Sequence, residues 1–214
     1  MRSYPVNANQ NTAWLGPLTF TEDKTESLVQ AIDNLVLQPK MNIFMYYLTS
    51  GPPNYSPMVI ATLFYYGSET EGKAAFESIY AVGPSSDETM VLQCNLWNEG
   101  IDSFCTKGDR KPSYGADFTR MVPSTWRAIW NEYVAFLKNP GTGNSIVLLE
   151  PYSLFKVRSI PDSSSSFPFR STVNFNAVAI PWYADSGLDQ KVEAFGSAVR
   201  DLWRSTNGLA SNST

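Results

Sequence analysis

Apolar and polar positions along this chain alternate with two different periods, and the two periods divide it into strands and helices. Trp14–Phe20, Asn42–Thr49 and Val59–Tyr66 are rich in aromatic and β-branched residues and read as strands, the last two separated by the turn-forming Gly51-Pro52-Pro53-Asn54. Thr89–Trp97, Ser145–Glu150 and Val173–Trp182 read the same way, with a shorter strand near Asp117–Met121 in an otherwise loop-like Gly100–Arg120. Helical spacing governs the rest. Leu28, Ile32 and Leu35 mark a helix from about Asp23 to Leu37. Ser68 and Glu71 form a capping box for a helix carrying Ala75, Phe76 and Ile79 and closed by Gly83-Pro84. Ser124 or Thr125 caps a helix to Lys138 whose Trp126, Trp130, Val134 and Leu137 share one face. Val192, Phe195, Val199 and Leu202 define a last helix over Asp189–Trp203, with a stop signal at Asn207-Gly208.

Strands and helices in this order, joined by short turns, predict an α+β fold: one antiparallel β-sheet with helices packed on one face, in a single domain over 1–214. Strand alternation then sorts side chains between the covered and the open face. On Thr89–Trp97 the apolar Met90, Leu92, Cys94 and Leu96 are expected under the helices, and Gln93, Asn95 and Trp97 on the open face. On Val173–Trp182 the expected covered set is Phe175, Ala177 and Ala179, leaving Asn174, Asn176 and Trp182 open. Glu150 ends the open row of Ile146 and Leu148, and Tyr46 and Tyr66 join the same surface. A mostly apolar surface with a few placed polar groups suits a small-molecule pocket, the alternative being an ordinary solvated sheet face. Trp126, Trp130, Leu202 and Trp203 are expected in the core by their helical spacing.

Composition narrows the chemistry. With 214 residues, 43% hydrophobic and 14% aromatic, the chain can bury one substantial core. A net charge of −4 and the absence of any Lys/Arg cluster argue against nucleic acid as a partner. No apolar run is long enough for a membrane span, and the N-terminus lacks the apolar core of a signal peptide, so a cytoplasmic location is expected. The sequons at Asn54 and Asn212 then read as chance matches. There is no histidine, so neither a Ser-His-Asp nor a Cys-His arrangement can form, and the two cysteines, Cys94 and Cys105, lack zinc-site spacing. Two free thiols are the expected state of these cysteines, with a disulfide the alternative. Glu150, at a strand end beside Tyr152, is the best candidate for acid–base work; alternatively it anchors the following loop by pairing with Arg158 or Arg170.

From Glu150 to Tyr183 a strand end leads through Pro151-Tyr152 into a long irregular loop, then Phe167-Pro168-Phe169-Arg170, then a strand ending in Pro181-Trp182-Tyr183. That order resembles the substrate-binding domain of the berberine-bridge-like FAD-linked oxidases. Arg2-Ser3-Tyr4-Pro5-Val6 and Ala13-Trp14-Leu15-Gly16 are similar to the family's crossover into that domain, and Val199-Arg200-Asp201-Leu202-Trp203 to its last helix. The resemblance covers nearly the whole chain but only the middle third of a complete family member. It implies an antiparallel sheet backed by helices, its other face turned to flavin and substrate. It also implies a glutamate or tyrosine base on the substrate side. The family's flavin-holding segments have no counterpart here, and Phe169 stands where the family often has histidine.

These readings converge on a pocket domain that works without a cofactor. The expected function is a redox-neutral cyclase or pericyclase, of Diels–Alderase type, acting on a fungal specialised-metabolite intermediate, with Glu150 and Tyr152 as catalytic groups. Tyr46, Tyr66, Gln93, Asn95, Trp97, Asn174, Asn176 and Trp182 are expected to bind the substrate. The alternatives are a non-catalytic binding protein for a hydrophobic metabolite, an accessory to a flavin oxidase, or a fragment of such an oxidase. An open aromatic sheet face without a covering domain predicts a homodimer through that face or its rim.

Overall fold

The computed structural model describes residues 11–101, 106–164, 166 and 169–206. Arg2–Val6, Cys105, Phe167, Pro168, the Asn207-Gly208 stop signal and the Asn212 sequon lie outside the described residues.

All strand pairings are antiparallel and form one eight-stranded sheet. The strands are β1 (Thr12–Phe20), β2 (Met41–Thr49), β3 (Pro57–Tyr65), β4 (Ser86–Asp87), β5 (Met90–Gln93), β6 (Tyr114–Phe118), β7 (Ile146–Leu149) and β8 (Phe175–Ile180). Their order across the sheet is β4-β1-β3-β2-β7-β8-β6, with β5 also pairing β1. Helix α5 (Pro123–Phe136) packs on both α1 (Thr25–Asn34) and α7 (Asp189–Thr206), and α7 lies on β6 and β8. The α+β architecture expected from the sequence is the one found.

Alternation within the strands explains the layering. On β2, Met41, Ile43, Met45 and Tyr47 are buried under the helices; Asn42, Phe44, Tyr46 and Leu48 lie on the other face and are half-buried. β3, β7 and β8 repeat the division, with Val59, Ala61, Leu63, Val147, Leu149, Phe175, Ala177 and Ala179 in the core. The helices return matching residues: Trp126, Trp130, Val199 and Trp203 are buried, as their spacing predicts, Leu202, Val134 and Leu137 are half-buried, and Tyr133 is buried beside them. Tyr47 meets Trp130 edge-on at 5.0 Å between ring centroids, and Phe136 stacks on Phe195 at 4.3 Å. Buried phenols need acceptors. Tyr47 Oη donates to the Trp126 carbonyl (3.0 Å) and Tyr133 Oη to the Ser145 carbonyl (2.8 Å).

Five elements depart from the sequence reading. The strand expected over Thr89–Trp97 stops at Gln93, and Cys94–Ile101 is a helix, α4. Cys94, Trp97 and Ile101 recur at helical spacing while Leu92, Cys94 and Leu96 alternate, so this short apolar run satisfies both periods. Met90 and Val91 are each 51% exposed, so the expected placement of the Met90 row under the helices is not found. The helix after Ser68 does carry its capping box, Ser68 N–H donating to Glu71 Oε2 at 2.9 Å. It breaks at the buried Phe76 into α2 (Glu69–Ala75) and α3 (Glu77–Tyr80). Helix α5 begins at Pro123 with Val122 as its cap, because proline's fixed φ suits the first helical turn. The strand near Asp117 lies earlier, at Tyr114–Phe118, and the loop after Tyr152 contains one helical turn, α6 (Phe155–Arg158).

Candidate functional site

The open face of the sheet is built in cross-strand rows. Phe44 opposes Thr62; Tyr46 opposes Ile60 on one side and Leu148 on the other; Leu148 opposes Val178; Asn176 opposes Asp117. Glu150 follows β7 directly, and its N–H donates to the Asn176 carbonyl at 2.9 Å, which carries the ladder one residue further. The register therefore sets Glu150 beside Phe44 on one side and Asn176 on the other. The centre of the face is apolar and this end of it is polar.

Four side chains meet there. The Phe44 ring lies edge-on to Tyr46 (6.3 Å, 88°) and to Tyr152 (5.7 Å, 77°). Burial, and after it the charges of Glu150 and Tyr152, push the Tyr46 hydroxyl up to about 12. The Tyr152 hydroxyl is also raised, first by burial, then by the Glu150 charge and by a hydrogen bond to that carboxylate. Both phenols thus keep their protons at neutral pH beside one carboxylate, Tyr152 as a donor to it. Tyr152 is 51% exposed, so a ligand on this face can reach it. Asn176 Nδ2 donates to Asp117 Oδ1 at 2.7 Å, fixing the amide at the edge of the cluster.

The fold brings together Glu150, Tyr152, Tyr46 and Asn176 of the residues singled out from the sequence. It separates the others. Gln93 pairs with Thr12 on β1, so β1, β3 and β2 lie between it and Glu150, roughly 19 Å of sheet. Asn95 and Trp97 are on α4, beyond that same edge, because the strand ends before them. Trp182 lies past the other end of β8, where its Nε1 donates to Asp109 Oδ2 (2.8 Å) and the Lys111 ammonium sits 4.1 Å from its ring. It borders a hollow of about 300 Å³ with Leu48 and Ser145, at the opposite end of β2 and β7 from Glu150. Tyr66 follows β3, and its N–H donates to the Lys40 carbonyl, two same-face pairs beyond Phe44–Thr62.

Asn174 precedes β8, and both ends of its amide are occupied. Nδ2 donates to the Thr119 carbonyl at 2.7 Å and Oδ1 accepts from the Arg158 guanidinium. With Arg158 and Tyr152 it lines a second hollow, of about 500 Å³, against the residues that follow α1. Arg170 pairs with Asp162 at 3.9 Å and Arg158 donates to the Arg170 carbonyl and to Asn174, and among the described residues Glu150 forms no ion pair with either arginine. Sequence reasoning missed Phe44 and Asp117. Phe44 is two residues before Tyr46 on one strand, so the same alternation points to it; Asp117 becomes visible only once β6 is paired with β8.

The fold is similar to part of berberine bridge enzyme and of berberine bridge enzyme-like proteins. Berberine bridge enzyme itself, as a variant, matches with a TM-score of 0.69 at 12% identity, over 94% of this chain and 42% of that one. A berberine bridge enzyme-like protein from Arabidopsis thaliana also matches with a TM-score of 0.69, at 12% identity, over 94% of this chain and 44% of its own. FAD-linked oxidoreductases of Pyricularia oryzae and Aspergillus fumigatus are each 24% identical, over 89% and 94% of this chain and 39% and 44% of theirs. No family model matches. The chain thus looks like a partial berberine bridge enzyme-like domain, spanning about two fifths of the length of these relatives.

The relatives' names imply FAD. The open face does not fit that group by itself: its strand positions include Asp117, Glu150 follows them, and none is a Lys or Arg to neutralise a pyrophosphate. Among the described residues no group of three His, Cys, Asp or Glu could hold a metal ion, and no helix is long and apolar enough to cross a membrane.

Proposed function

We propose that this chain binds an apolar small molecule on the open face of its sheet and promotes a redox-neutral ring closure there. The observation that carries the reading is the meeting of Glu150, Tyr152 and Tyr46 around Phe44 at one end of an otherwise apolar surface. Phe44, Ile60 and Leu148 offer a wall on which an extended unsaturated chain folds into a reactive geometry. The Glu150 carboxylate accepts a proton from an acidic C–H or O–H of the ligand. Tyr152 Oη donates a hydrogen bond to the oxygen on which charge develops, and the proton returns to a different atom of the ligand. Ring closure then exchanges two π bonds for two σ bonds, so the product has the composition of the substrate.

The test is incubation of the purified chain with a panel of neutral polyene enones in the absence of oxidant, read by mass and retention time. A cyclised isomer of unchanged mass, lost in Glu150→Gln and reduced at least tenfold in Tyr152→Phe, is the expected result. Conversion at equal rates in Glu150→Gln would remove the carboxylate from the reaction.

A second reading follows from the relatives, which are named FAD-linked oxidoreductases and are more than twice as long. In it the same face presents substrate to a flavin-bearing domain supplied from outside these residues. Products lighter by two hydrogens, formed only when such a domain is added, would favour it over ring closure by this chain alone.

A further inference from the structure

The hollow of about 500 Å³ next to Tyr152 is walled by Leu35 and Val36 after α1, by Leu154 and Phe155 around α6, and by two charged side chains, Arg158 and Asp33. The charged pair is not equivalent. Asp33 Oδ1 accepts from the Met121 N–H at 2.7 Å, which ties that carboxylate to the turn before α5. Arg158 has only neutral partners among the described residues: its Nε donates to the Arg170 carbonyl (3.3 Å) and its Nη2 to Asn174 Oδ1. Asn174 is itself anchored to the Thr119 carbonyl, so the guanidinium is held in place without being neutralised. A fixed guanidinium lacking a carboxylate, beside apolar walls, has its remaining Nη1 donor for an external anion. Phe155 and Val36, 53% and 66% exposed, leave apolar surface at the same place.

We propose that this hollow takes the carboxylate end of an otherwise apolar ligand, with Arg158 as the anion's anchor and Asn174 as the residue that positions Arg158. Asp33 on another wall repels a carboxylate and so directs it to the arginine. Tyr152 lines the hollow and also borders the Glu150 cluster. A ligand anchored at Arg158 therefore runs its apolar body past Tyr152 toward Phe44. This rests on reading the open face as a small-molecule surface and adds the substrate class: a long-chain or polyene acid rather than a neutral molecule.

Dodecanoate and its methyl ester are the probes, titrated calorimetrically against the whole chain. Dodecanoate binding saturably, with the ester at least tenfold weaker, is expected. Arg158→Gln should cost dodecanoate tenfold or more and leave the ester unchanged, Arg158→Lys should recover part of the loss, and Asp33→Asn should tighten dodecanoate a few-fold. Equal affinity for acid and ester, or an unaltered affinity in Arg158→Gln with native circular dichroism, overturns the proposal. Dodecanoate bound normally by a Glu150→Gln chain that converts no polyene enone would keep this anchor, while dodecanoate bound at full affinity by an Arg158→Gln chain that still converts the neutral enones would overturn the anchor and leave the ring-closure reading standing.

Discussion

Phe44 stands edge-on to Tyr152, ring centroids 5.7 Å apart, and so joins the middle of β2 to the segment that leaves β7. This contact holds an exposed tyrosine over the sheet beside Glu150. Because Phe44 is only half-buried, Phe44→Ala should cost about 1–2 kcal/mol, less than a fully buried phenylalanine. Urea denaturation measures that cost. A loss above about 3 kcal/mol would mean that Phe44 belongs to the core.

The raised Tyr46 hydroxyl predicts a pH dependence of stability. Its folded-state value is about 12 against an ordinary 10, so the stabilisation is complete below pH 10 and is lost as pH rises from 10 toward 12. After discounting for partial exposure, the amount is up to about 2 kcal/mol. Tyr47 and Tyr133 are raised too, so the relevant quantity is the difference between the parent chain and Tyr46→Phe. The parent's denaturation midpoint should fall relative to that of Tyr46→Phe across that window. Parallel curves would refute the assignment.

Gly72 in α2 faces the Trp14 ring so closely that an added Cβ would lie 2.2 Å from it. Trp14 is fully buried and cannot yield cheaply. Gly72→Ala should therefore destabilise by about 1–3 kcal/mol despite alanine's better helix propensity. Thermal unfolding of this variant decides the matter, and a stabilised protein would contradict the packing described.

The apolar rows of the open face predict self-association. Phe44, Leu48, Ile60, Leu148, Val178 and Ile180 share that side and are half-buried. A twofold dimer through them would remove this area from water. Sedimentation velocity over a concentration series should show a monomer–dimer equilibrium, and Leu148→Glu should shift it to monomer. A parent chain that stays monomeric throughout would count against the arrangement.

Much of this organisation is legible in the sequence, and its failures have identifiable causes. Alternation in β7 and β8 puts Glu150 and Asn176 on one face, as found, whereas β2 is apolar on both faces and its pattern offers Tyr46 only as an addition to them. The same logic failed after Gln93, where an apolar run too short to favour one period folds into α4 and takes Asn95 and Trp97 with it. Sharing a face is also weaker than sharing a site. The pattern groups Trp182 and Gln93 with Glu150, but distance along a strand and strand order across the sheet are not contained in local pattern. Local sequence offers Arg158 only as a partner for Glu150. Its role beside Asn174 depends on a helical turn, α6, within a segment that reads as loop.

The alternating burial of β2 means that core and surface are spelled in interleaved letters of one strand. Inserting a single residue between Phe44 and Met45 would reverse the parity of one side of the strand against the other, sending Tyr46 into the space of Tyr47, or forcing a bulge. Substitutions can therefore retune the open face without touching the core, whereas insertions and deletions within these strands cannot. Variation in length is confined to the turns, while variation in chemistry is free along every second position.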